Sequence, residues 1–118
     1  MVEREGLYYE YLSDTPFTGD NIVYHDNGDL SHKCYFNNGE MQGECVSYWE
    51  NGHLYMKGNY KNNKREGDWV SYWENGQLTY KGNYNSGKQE GKWVSYLSDG
   101  TVDEEWTGTF KNGKKISD

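Results

Sequence analysis

Four residues in the first half of the chain have side chains that can do chemistry: His25, His32, Cys34 and Cys45. Two imidazoles and two thiols are the right ligand types for a tetrahedral zinc ion. A cysteine with a histidine base is also the minimum for nucleophilic catalysis, provided that a third group orients the base and an oxyanion site lies near. The spacing fits neither use. No local zinc motif is present, and no third group stands at a recognisable distance. The expectation is therefore no metal, no cofactor and no catalytic residue, with the four positions read as departures of an atypical terminal repeat. Two cysteines are too few for a disulfide framework and say nothing alone about compartment. No glycine-rich phosphate loop opens a helix. The carboxylates Glu50, Glu66, Glu74, Glu90, Asp103, Glu104 and Glu105 fall near turns and rims, where charge solubilises sheet edges. The chain reads as a non-enzyme.

The stronger signal is aromatic. Only 33% of the 118 residues are apolar, yet the chain carries five Trp, twelve Tyr and three Phe. Each can bury roughly 150–250 Å², so the drive to fold sits in a few large side chains. Trp and Tyr are also favoured anchors of binding surfaces. The candidate partner-binding residues are Trp49, Leu54, Trp69, Trp73, Leu78, Tyr80, Tyr84 and Trp93.

These residues are placed by a repeat. GECVSYWENGHLYMKGNY at Gly43 returns as GDWVSYWENGQLTYKGNY at Gly67 and begins again as GKWVSYL at Gly91. The starts Gly19, Gly43, Gly67 and Gly91 are evenly spaced, with a period of 24. A fixed period of that length means an array. The chain divides into one domain, 1–118, with a leading block 1–18 and repeats 19–42, 43–66, 67–90 and 91–118. Within a unit, two runs of β-forming residues flank Asn75-Gly76, which predicts a type I′ hairpin turn. The same turn is expected at Asn27-Gly28, Asn51-Gly52 and Asp99-Gly100, and a second turn class at Asn37-Asn38-Gly39, Asn62-Asn63, Asn85-Ser86-Gly87 and Asn112-Gly113. The fold class is all-β: an elongated, single-layer antiparallel meander of repeated hairpins.

With Asn75-Gly76 as a two-residue loop, Trp73 pairs with Leu78, Ser71 with Tyr80 and Trp69 with Gly82. Partners share a face, so Trp69, Ser71, Trp73, Leu78, Tyr80, Gly82 and Tyr84 stand on one side, and Val70, Tyr72, Thr79, Lys81 and Asn83 on the other. Gly82 opposite Trp69 leaves a slot for the indole. The same pairing of Trp93 with Gly108 requires a bulge around residues 101–105. Continuing the register from Asn37 opposite Glu40 sets His32 opposite Cys45, with Cys34 diagonal to it.

Twelve Lys and Arg against nineteen Asp and Glu give a net charge of −7, which repels polyanions at long range. Nucleic acid is excluded as a partner and an anionic membrane disfavoured. No apolar run reaches the roughly 18 residues of a membrane span. The start, MVEREGLYYEY, lacks the regions of a signal peptide. The chain as it stands is expected in the cytoplasm, or exported if a leader has been removed.

Units carrying YWENGQLTYKGNY and GKWVSY resemble the MORN repeat, in the bacterial variant found in proteins labelled antitoxin components. The resemblance covers Phe17 to Lys114, and the opening GLYYEYLSDTPFTG is similar to the start of such proteins. It implies a single-layer sheet of successive hairpins used as scaffold and binding surface, with another protein as partner. The alternative is a ligand-binding protein, for phospholipid headgroup as the resemblance implies, or for carbohydrate, since flat rings and a neutral ligand suit an acidic protein. In the absence of a partner, a homodimer through the aromatic face is expected.

Overall fold

A computed structural model of the chain describes residues 2–4, 7–9 and 16–118. Much of the leading block 1–18 lies outside the described residues. Those described form eleven strands: β1 Val2–Arg4, β2 Leu7–Tyr9, β3 Gly19–Tyr24, β4 Leu30–Asn37, β5 Glu40–Tyr48, β6 Leu54–Lys61, β7 Lys64–Tyr72, β8 Leu78–Asn85, β9 Lys88–Ser95, β10 Gly108–Lys111 and β11 Lys114–Ser117. Strands β1 and β2 pair with each other, and β3 to β11 form one open antiparallel sheet in chain order. Within the larger sheet each strand pairs with its sequence neighbours, as a meander of hairpins requires. The extents are 47 × 35 × 18 Å, so the array is a thin, elongated slab, and no helix occurs among the described residues.

The type I′ geometry expected at the Asn-Gly turns occurs instead in the second turn class. A type I′ turn needs positive φ at both central residues. That geometry occurs at Asn38-Gly39 (50°, 81°), Asn62-Asn63 (49°, 69°), Ser86-Gly87 (49°, 85°) and Asn112-Gly113 (53°, 84°). At Asn75-Gly76 only the glycine is left-handed. There Gly76 N–H donates to Trp73 O and Trp73 N–H to Gln77 O, which closes a three-residue loop with Trp73 facing Gln77. Tyr72 consequently pairs with Leu78, and the expected register resumes at Ser71 and Tyr80. The asparagine side chain explains the choice. Asn75 Oδ1 accepts the Gln77 N–H at 2.9 Å, as Asn51 does for His53 and Asn27 for Asp29. The amide nitrogens of the same asparagines donate into the next repeat: Asn27 to Glu50 O, Asn51 to Glu74 O and Asn75 to Ser98 O, at 3.1, 2.7 and 3.5 Å. Thus one side chain both closes its own turn and ties it to its neighbour.

A second correction concerns the repeat-initial glycines. Gly43, Gly67 and Gly91 have φ of 83°, 75° and 77°, and β4–β5, β6–β7 and β8–β9 each shift register beside them. These are bulges, in which extra residues on one strand oppose fewer on the other. The shift moves Cys34 directly opposite Cys45 and His32 opposite Ser47. The two cysteines are joined in a disulfide with Cα atoms 4.3 Å apart. The metal arrangement considered from sequence is thereby undone: both thiols are committed to each other.

The bulge expected in the last repeat is instead a loop. Tyr96 bridges to Val102, Asp103 N–H donates to Ser95 O and Trp106 N–H to Asp103 O, and pairing resumes with Trp93 opposite Gly108 as expected. The segment from Thr101 to Glu105 is too long for one bulge to absorb.

Candidate functional site

The aromatic face is organised by two hydrogen-bond ladders with the period of the sequence. Trp49 Nε1 donates to Tyr72 O at 2.9 Å and Trp73 Nε1 to Tyr96 O at 3.1 Å. His25 Nε2 meets Tyr48 O at 2.8 Å, one repeat earlier. His25 therefore takes a tryptophan's structural place and needs no metal to account for it. In the second ladder Trp69 Nε1 donates to Asn59 O at 3.0 Å and Trp93 Nε1 to Asn83 O at 3.1 Å. Both indoles thus lean back toward the preceding strand pair.

That lean corrects the expected slot. Trp69 is opposite Gly82 in register, but a Cβ added at Gly82 would sit inside the indole of Trp93, and one added at Gly58 inside the indole of Trp69. The slot glycine lies on the strand before its tryptophan, not on the strand after it. Trp69 is 1% exposed and Trp93 4%, which a single layer permits only because neighbouring side chains act as a second one. Edge-to-face contacts run from Tyr60 to Trp69 (5.2 Å), Trp69 to Tyr84 (6.1 Å), Tyr84 to Trp93 (5.0 Å) and Trp93 to Phe110 (6.2 Å). Arg65 lays its guanidinium over Trp69, 4.7 Å from the ring centre, and over Tyr84 at 5.4 Å.

Beside this floor lies a groove of about 340 Å³. Trp73, Tyr80, Tyr84 and Trp93 line it, which brings together four of the eight residues singled out from sequence. Trp69 lies beneath Arg65. Trp49 packs against Tyr55 with ring centres 4.3 Å apart and planes tilted by 50°, and lines a separate hollow with His25, and Leu54 and Leu78 pair with Tyr48 and Tyr72 outside the groove. Arg65, Asp103 and Trp106 also line the groove and were missed. Trp106 sits in the inserted loop, where the period is lost, and is 47% exposed, stacked on Phe110 with rings 2° from parallel. A signal for Arg65 did exist: its counterparts at the same place in the other repeats are Phe17, Met41 and Gln89.

Two groups in the site are electrostatically perturbed. Burial lowers the Arg65 pKa, but hydrogen bonds with Tyr60 and Tyr84 outweigh it and the net direction is upward. Burial, then the neighbouring Tyr84, hold the Tyr80 hydroxyl above its ordinary 10.0, against a smaller opposite pull from Arg65. A folded-state pKa raised in this way contributes stability that is present below the unfolded value and is lost as pH rises through the folded one. The melting temperature should therefore begin to fall above about pH 10, and Tyr80→Phe should flatten that fall. An identical alkaline profile in the variant would show that Tyr80 is not held in this environment.

The opposite face is polar, with hollows lined by Glu44, Lys57, Asp68, Val70 and Lys81, and by Lys92 and Val94. Among the described residues no group of three or more His, Cys, Asp or Glu is arranged to hold a metal, and no helix is long and apolar enough to cross a membrane.

No curated protein matches this chain. The family model described as MORN repeat variant matches it twice, over residues 41–62 and 65–86. The matches begin one repeat apart and span β5–β6 and β7–β8, two successive hairpins of the sheet. Over these two segments, then, the chain is similar to the MORN repeat variant.

Proposed function

We propose that the chain is a non-catalytic protein-binding module whose partner lies along the aromatic groove. The observation that supports this most is the groove itself: tryptophan and tyrosine walls around an open space of about 340 Å³, where fully self-covered indoles give way to the half-exposed Trp106. Repeats of the MORN type serve in general as protein- or lipid-interaction modules. The net charge of −7 favours a protein over an anionic headgroup. An antitoxin-like role is one form of the protein-binding reading. The Cys34–Cys45 bond favours the exported alternative, because structural disulfides persist in oxidising compartments.

Replacing Trp73 and Tyr80 together by Thr and Gln removes aromatic surface from half-buried positions while keeping strand propensity or length. Partner capture from the native host, and any self-association of the pure chain through the same face, should both be lost, with the far-ultraviolet circular dichroism still that of a β-protein. Capture that survives this change and is lost on altering Tyr72 and Lys81 would put the function on the opposite face. A second reading, carbohydrate stacking, draws on the flat rings and the neutral polar groups Gln89 and Ser95 in the same lining.

A further inference from the structure

Position 65 departs from the array. The backbone carbonyls of Phe17, Met41, Arg65 and Gln89 do the same work, each accepting an N–H from the type I′ turn of the following hairpin. Their side chains differ. Phe17 and Met41 cover the buried cluster of Cys34, Phe36 and Cys45, so an apolar group suffices there. A thioether over Trp69 would cover the indole as well. Arg65 instead brings a charge, donates to Tyr84 Oη at 3.1 Å, and among the described residues has no carboxylate in an ion pair with it. A guanidinium has five N–H donors in a fixed fork, and two tyrosines leave part of that fork unused at the wall of the groove. A planar, half-buried guanidinium matches a carboxylate in two parallel hydrogen bonds. Among the described residues the one acid in the lining is Asp103, which disfavours a second anion beside the first and accepts N–H donors.

We infer that the groove takes a polypeptide segment that presents one carboxylate beside an aromatic or large apolar side chain. The carboxylate pairs with Arg65, the side chain lies against Trp73, Trp93 and Trp106, and backbone N–H groups face Asp103. This rests on the protein-binding reading and adds the chemistry of the partner to it.

The test follows the tryptophan indole N–H signals of the full chain by nitrogen-15 correlation spectra while three probes are added: N-acetyltryptophan, its amide, and glucuronate. N-acetyltryptophan should shift the signals of Trp73, Trp93 and Trp106, with the amide about tenfold weaker. In Arg65→Met, which installs the residue of position 41, the acid and the amide should bind within about twofold of each other, both weakly. If that variant loses its dispersed spectrum, Arg65→Gln, the residue of position 89, takes its place. Equal binding of acid and amide to the unaltered chain overturns the carboxylate assignment and leaves the aromatic groove standing. So does an acid preference that survives loss of Arg65. Glucuronate binding as tightly as N-acetyltryptophan overturns the polypeptide in favour of an acidic sugar. No shift with any probe removes the groove as a site, and this inference with it.

Discussion

Gly82→Val should cost the fold about 3 kcal/mol and lower the melting temperature by about 10 °C or more, whereas Asn83→Val, one residue along, should change it little. The two positions differ in space, not in backbone. Gly82 lies in a strand without a left-handed φ, so valine is conformationally welcome there. Its Cβ, however, would occupy the place of the Trp93 indole, with the nearest clashes at the ring-fusion carbons. Trp93 cannot withdraw cheaply, since its Nε1 is hydrogen-bonded to Asn83 O and its rim is packed by Tyr84 and Phe110. Displacing it would expose an indole that the fold otherwise buries almost completely. The side chain of Asn83 is exposed, and valine is a better strand former than asparagine. Thermal unfolding followed by circular dichroism compares them directly, and equal melting temperatures would show that the indole does not lie over Gly82.

The second large effect concerns the disulfide. Cys34 stands one repeat before Gly58, and Cys45 stands one repeat before Trp69. The bridge is therefore the first repeat's version of the glycine and tryptophan pairs at Gly58–Trp69 and Gly82–Trp93. Reducing it should cost about 2–3 kcal/mol, given a sequence separation of 11 and the loop-closure scale for short loops. The equivalence yields a sharper expectation. Cys45→Trp alone should be poorly tolerated, because the indole would meet the Cys34 side chain. Cys34→Gly with Cys45→Trp should recover most of the loss and make the melting temperature insensitive to reductant. A double variant no better than the sum of its single changes would mean that the two devices do not occupy the same place.

How much of this could be read from the residues follows from where the repeat is regular. The period of 24, the meander and the face of Trp69, Ser71 and Tyr80 were legible, because cross-strand pairing is local and the β-formers alternate. The bulges at Gly43, Gly67 and Gly91 were not, since each glycine served equally well as a repeat boundary, and the shift they cause hid the Cys34–Cys45 pairing. The turn type at the Asn-Gly and Asp-Gly positions was misread because Asn-Gly suits a type I′ turn by backbone preference, and the preference was overruled by the side-chain oxygen of Asn27, Asn51, Asn75 and Asp99, which accepts the N–H two residues on. Gly82 was assigned to the wrong indole for a related reason. Register names the residue opposite Trp69, but a side chain as long as tryptophan can lean across to either neighbouring strand, and the carbonyl of Asn59 decides the direction. In the groove, Trp73, Tyr80, Tyr84 and Trp93 were visible as aromatic repeats. Arg65 and Trp106 were not, as one is a single charge in a column of otherwise uncharged residues and the other lies where an insertion breaks the period.

The central claim, that the aromatic groove is the binding face, is tested most directly by photo-crosslinking in the native host from one position on each face. A benzophenone side chain at Trp106, half-exposed at the groove, should yield one discrete adduct with a partner protein, and the adduct should vanish when Trp73 and Tyr80 are replaced. The same group at Val70, which lines a hollow of the opposite face, should yield none. A discrete adduct from Val70 with none from Trp106 would contradict the account.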